Sequence, residues 1–138
     1  MAQTASAPIL HRFLGLGATA LAVVMVFLRT RVEPPASDDQ FTAVMAYAFA
    51  SISLAMVVVA VLVLARRVPE RRLTERVEAY WMTPAVLASV NLVWFVSEGA
   101  AIMATVGYFL TGHLAPAAMM VVAISTFWWL GPKTFAKA

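Results

Sequence analysis

Apolar positions in this chain are gathered into four long runs, and polar positions into the breaks between them. Phe13 to Leu28 is uncharged, with His11 and Arg12 before it and Arg29 and Arg31 after it. At 1.5 Å per residue it makes about 24 Å of helix, slightly under the roughly 30 Å hydrocarbon core of a bilayer, and Ile9 and Leu10 extend it. It ends in Leu28-Arg29-Thr30-Arg31 rather than in the small residues of a cleavage site, so it reads as a retained span and not as a signal peptide. The second run, Phe41 to Ala65, gives about 37 Å of helix and crosses with tilt. The third opens at Thr83-Pro84, an N-cap followed by a first-turn proline, and continues to Thr111 with one interruption, Glu98. The fourth goes from Leu114 to Leu130 and stops at Gly131-Pro132-Lys133.

Only Gly112 to Pro116 separates the last two runs, so they form a tight antiparallel hairpin. No strand alternation is visible, and open backbone cannot lie in lipid. The pattern predicts an all-α integral membrane four-helix bundle of up-down antiparallel hairpins, one domain over 1–138. Its spans fall at about 11–29, 41–65, 83–111 and 114–131.

Composition supports this reading. The chain is 62% apolar and 12% charged, against about 45–50% and roughly 25% for soluble domains. With no cysteine, disulfide scaffolds, zinc ribbons, iron–sulfur proteins and thiol enzymes are excluded. Arg12, Arg66, Arg67, Arg71, Arg72, Arg76, Lys133 and Lys137 fall at one set of span ends, and only Arg29 and Arg31 at the other. The positive-inside rule therefore expects both termini and the middle loop in the cytoplasm, and the Ala- and Arg-rich composition hints at a bacterial source, hence an inner membrane. Tyr80-Trp81 and Trp128-Trp129 are expected as interfacial anchors on that side. The opposite loop, with Glu33, Pro34-Pro35, Asp38 and Asp39, reads as a short solvated turn.

In the middle loop Leu73, Val77 and Tyr80 follow helical spacing. An interfacial amphipathic helix is expected over about 69–79, with Arg71 and Arg72 pairing to Glu75. It sets topology, or its five arginines, Arg66, Arg67, Arg71, Arg72 and Arg76, contact anionic lipid or an acidic partner. No length remains for a basic nucleic-acid-binding domain, so nucleic acid is not expected as a partner.

Small side chains mark the packing faces. Ala43, Ala46, Ala50, Ser53 and Ala60 make a stripe on the second run, and Ala100, Ala104 and Gly107 one on the third; Gly15 with Gly17 is weaker. Lipid gives helices no hydrophobic reason to associate, so such stripes let backbones approach closely. Spacing alone leaves both intramolecular and intermolecular contacts open, with the former favoured.

Glu98 is the costly residue. Near the bilayer centre an acid costs about 2.5–3.5 kcal/mol on insertion scales, so it must be shielded or uncharged. Asn91 and Thr105 lie seven residues to either side on nearly the same face, and Ser97 is adjacent. This polar seam has two readings: hydrogen bonds that hold helices together, or a proton or cation site. No second intramembrane charge exists to form a relay.

Other chemistry is not expected. His11 and His113 flank opposite ends of the spans and cannot share a metal or haem, and both read as ordinary surface histidines. No nucleophile–base pair, phosphate loop or catalytic carboxylate pair is visible, so no enzyme activity, cofactor or metal is expected. The eight methionines read as adaptable packing.

The second and third runs, with the Ala43–Ser53 stripe, the loop Ala65-Arg66-Arg67-Val68-Pro69-Glu70 and Glu98, resemble the helical hairpin of the proteolipid subunit c of rotary ATP synthases. That family has a polar loop of Arg-Gln-Pro-Glu type and an ion-carrying acid in its second helix. The resemblance implies that Glu98 carries a proton. The chain lacks the family's glycine repeat and has Val68 inserted in the loop. The stretch from Glu98-Gly99-Ala100-Ala101 to Thr111-Gly112 also resembles small four-span bacterial membrane proteins, a likeness that implies no function. The function expected is a non-enzymatic accessory or assembly component of a membrane complex, in contact with lipid and with a membrane protein or a second copy. The alternative is an ion-coupled carrier using Glu98.

Overall fold

The computed structural model describes residues 6–32 and 39–137, which form helices joined by short loops, with no strand among them. The expected turn residues Glu33, Pro34, Pro35 and Asp38 lie outside the described residues. Helix α1 covers Ser6–Arg29 and α2 covers Gln40–Val58, capped by the Asp39 carboxylate accepting from the Phe41 N–H at 3.0 Å. The chain continues from α2 without a break into a π-helical turn, Val59–Leu64, and a 3₁₀ turn, Ala65–Arg67. Val68 then turns extended, as a residue before proline must, and Pro69 stops the helix.

Pro69–Arg76 is not helical. The expected loop helix over 69–79 instead forms at Val77–Met82 (α3), one turn nearer the next span. Arg71 tethers the irregular stretch by donating from Nε to the Ala136 carbonyl at 2.8 Å and from Nη1 to the Glu75 carbonyl at 2.6 Å. Both guanidinium donors thus reach backbone oxygens rather than the carboxylate expected to pair with them.

Thr83 is extended before Pro84, which separates α3 from α4, Pro84–Thr111. Thr83 holds the N-cap position, but its hydroxyl donates back to Ala79 O at 3.2 Å and does not cap α4. At the far end Gly112 adopts φ 62°, a left-handed conformation costly for any residue with a Cβ, and its N–H closes on Tyr108 O at 2.7 Å. His113 follows as the N-cap of α5, Leu114–Trp129, its Nδ1 accepting from Ala115 N–H at 3.3 Å. After Gly131 a single turn, α6 (Pro132–Phe135), completes the described chain.

Among the described residues, three stretches are long and apolar enough to cross a membrane: Ala7–Arg29, Gln40–Arg67 and Pro84–Thr111. Helix α5 is apolar but has 16 residues, about 24 Å. Helix α4 is central and packs against α1, α2 and α5. Its contact with α2 is made by the two small-residue stripes. Ala46, Ser53, Ala60, Ala100 and Ala104 are fully buried, and a Cβ added at Gly107 would stand 2.5 Å from Phe49 Cβ. The stripes therefore meet within one chain. Gly15 is closed off by Phe127 and Trp128, whereas Gly17 faces open space.

One end of the molecule is aromatic. Trp94, Phe127, Tyr80, Trp81 and Leu130 are buried there together. Tyr80 and Trp81, expected as interfacial anchors, belong to this core, while Trp128 and Trp129 remain exposed. The start of α1, the loop after α2 and the end of α5 all gather at this end, through His11 on Phe127 and Arg71 on Ala136.

Candidate functional site

Helix α4 has to seat an acid in an apolar environment. Along it Val86, Val90, Val93, Trp94, Ser97, Ala100, Ala101 and Ala104 are buried, while Leu92, Phe95 and Ile102 point outward. At 100° per residue Asn91, Glu98 and Thr105 stand in one column at the margin between these two faces. The structure makes Thr105 buried and leaves Asn91 and Glu98 half-buried. Glu98 thus lies neither at the centre of the packed face nor on the open surface, but on the shoulder beside Phe95 and Ile102.

Hydrogen bonding shows how little the packed helices invest in this column. The Thr105 hydroxyl donates to Ala101 O at 2.7 Å and the Ser97 hydroxyl to Val93 O at 2.8 Å, both within α4. Short hydroxyl side chains satisfy themselves this way on the preceding turn and need no neighbour. Asn91 Oδ1 is buried with no hydrogen-bond partner among the described residues. Glu98 makes no hydrogen bond among them either, as the polar contacts of α4 involve other side chains. The α2–α4 hydrogen bond comes from the small-residue stripe: Ser53 Oγ donates to Ala100 O at 2.8 Å.

Of the loop arginines, Arg66, Arg67, Arg72 and Arg76 are exposed, and Arg71 alone is half-buried and committed to backbone carbonyls. The Tyr80 phenol donates to Pro69 O at 2.8 Å; burial, and after it the Glu75 carboxylate, hold its pKa above the ordinary tyrosine value.

His11 departs most from the sequence reading. It is 3% exposed, its ring stacked on Phe127 at 4.6 Å and tilted against Trp94 at 4.9 Å. Its Nε2 lies 3.1 Å from Phe127 O, and since a carbonyl only accepts, Nε2 carries the proton. The two partners are 116 positions apart, so no local signal in the sequence reports this contact. His113 stays at the opposite end as a helix cap beside Tyr47, and the two histidines are not brought together. Among the described residues no three His, Asp or Glu side chains cluster as metal ligands would.

Comparison with protein families, with characterised proteins and with solved structures finds no match to this chain.

Proposed function

We infer that the chain is a small multi-pass protein of a bacterial inner membrane, built as a four-helix bundle with both termini cytoplasmic, and that it acts without enzymatic chemistry as an accessory or assembly component of a membrane complex. The shoulder of α4 at Glu98 is the face that meets its partner, a membrane protein or a second copy. One observation carries this: Glu98 and Asn91 sit at the margin of an outward apolar face with no hydrogen bond to them among the described residues. Polar side chains at membrane depth are costly unless paired, and a docking helix supplies the pairing. The topology is supported by the gathering of the basic span ends at one end of the molecule, opposite Arg29. Helix α5 reaches across the bilayer only if flanking Gly131–Phe135 and local thinning make up for its short length.

The absence of cysteine makes the test direct. Phe95→Cys and Ile102→Cys are expected to form disulfide-linked dimers when oxidised in native membranes, or, when alkylated with a thiol-reactive photocrosslinker and irradiated, to cross-link to a co-purifying subunit. Val23→Cys, on the outward face of α1, is not. No cross-linking above the Val23→Cys level would remove the reading.

A second reading is kept for one reason: a carboxyl on the shoulder of a helix that packs closely on a small-residue partner has the layout expected of a proteolipid-like, proton-translocating hairpin or an ion-coupled carrier. Carbodiimide labelling of Glu98 that varies with pH and is blocked by sodium favours it. Indifference to both, with unchanged assembly in Glu98→Gln, favours the accessory role.

A further inference from the structure

At the aromatic end a cavity of about 650 Å³ opens between the start of α1, α3 and the α5–α6 junction. Trp81, Trp128 and Trp129 wall it, His11 lies at its floor, and Arg12 and Lys133 flank it. No carboxylate lines it among the described residues. Its volume falls in the usual range for small-molecule sites, roughly 300–1,000 Å³. Arg12 and Lys133 are exposed, and neither makes a hydrogen bond to a described residue. The combination is specific in its chemistry: apolar, wettable indole walls next to two cations, at the end of α1, which is long enough to cross a bilayer. Indoles prefer the headgroup level of a membrane, where one edge is wet and the other apolar.

We propose that this cavity binds the headgroup of an anionic phospholipid, with Arg12 and Lys133 on the phosphate and the tryptophans against the glycerol and upper acyl chains. The site is separate from the Glu98 shoulder and does not depend on what docks there. It also differs from a general attraction of the basic loop to the membrane surface, because Arg72 and Arg76 belong to the same end but do not line the cavity.

The test uses the full-length protein in vesicles of phosphatidylcholine and phosphatidylglycerol, with bromine on the acyl chains of either lipid. Tryptophan quenching then reports which lipid sits against the indoles. A cation held directly against an anionic headgroup favours that lipid about fivefold. With two such cations lining the cavity, the wild-type chain is expected to prefer phosphatidylglycerol at the indoles by about twenty-five-fold, and Arg12→Gln/Lys133→Gln to bring the ratio near unity. Neither side chain has a packing role, so folding is retained, which the circular dichroism spectrum checks. Arg72→Gln/Arg76→Gln removes equal charge outside the cavity and is expected to keep the preference. Equal quenching by both lipids in the wild type, or equal loss in the two double variants, would overturn the proposal. So would displacement of phosphatidylglycerol by millimolar inorganic phosphate, which would mark a free-anion site.

Discussion

Gly107→Ala adds one methyl group at the closest approach of α2 and α4. Its Cβ would stand 2.5 Å from Phe49 Cβ, 2.8 Å from Phe49 Cγ and 3.2 Å from Pro116 Cβ. Rotation about χ1 moves Phe49 Cγ but cannot move Phe49 Cβ, which is fixed to the α2 backbone. Relief therefore requires the helices to separate by roughly 1 Å, to a normal carbon–carbon distance of about 3.5 Å. Seven residues away the same helix pair holds the 2.8 Å bond from Ser53 to Ala100 O, and a separation of that size breaks it. Overpacking costs about 1–3 kcal/mol and a lost interhelical hydrogen bond in a membrane protein about 0.6 kcal/mol, so about 2–4 kcal/mol is expected in total.

Reversible unfolding in mixed detergent and sodium dodecyl sulfate micelles, followed by tryptophan fluorescence, measures this. Gly17→Ala is the control, since nothing lies within 4 Å of its Cβ. Phe49→Ala in the Gly107→Ala background removes the 2.8 Å clash and leaves the 2.5 Å one, so rescue is expected to be partial. A Gly107→Ala protein within about 0.5 kcal/mol of wild type, or no less stable than Gly17→Ala, would refute close α2–α4 packing as a source of the fold's stability.

The same assay is expected to give a loss of about 0.6 kcal/mol for Ser53→Ala, because Ala100 O keeps its intrahelical donor. Arg29→Gln is expected to cost about 1 kcal/mol by withdrawing a cation from the C-terminal end of α4. His11→Phe preserves the stack on Phe127 but loses the bond to its carbonyl, costing about 1 kcal/mol, while His11→Ala loses both and costs more. For Tyr80 the folded pKa is raised, so its contribution is complete below the unfolded value near 10 and is lost as pH rises through the higher folded value. Absorbance at the phenolate band, compared with Tyr80→Phe, is expected to show this tyrosine ionising above the ordinary tyrosine value.

The sequence carries the part of this fold that is periodic or additive. Apolar run length places α1, α2 and α4, and small residues at alternating three and four residue steps mark the α2–α4 contact, because both properties are local to one helix. Gly112 and Pro84 likewise announce the helix boundaries they enforce. What is not legible is which side chain answers a need created far along the chain. Tyr80 and Trp81 look like interfacial anchors until α4 and α5 supply the wall that buries them. Over 69–76, where a loop helix is expected, the chain is irregular and Arg71 donates instead to backbone oxygens at Ala136 and Glu75, contacts that no local spacing reports. The Glu98 column is legible as a column, but not its position at the margin of the packed face.

His11, Trp94 and Arg29 solve one physical problem. A helix leaves its last four carbonyls without intrahelical donors, and in an apolar surrounding each orphan is expensive. Near the end of α5, Phe127 O accepts from His11 and Leu130 O accepts from Trp94 Nε1 at 2.7 Å. Near the end of α4, Phe109 O accepts from Arg29 Nη1 at 3.2 Å. In each case the donor comes from a different helix, so satisfying the backbone also fixes how the helices sit against one another. Direction follows as well: α1 runs from a donor for α5 at one end to a donor for α4 at the other, which ties its two termini to opposite ends of the α4–α5 hairpin. These three polar side chains, isolated along the sequence, are thus spent on helix ends. Glu98 and Asn91 Oδ1 have no part in that exchange among the described residues.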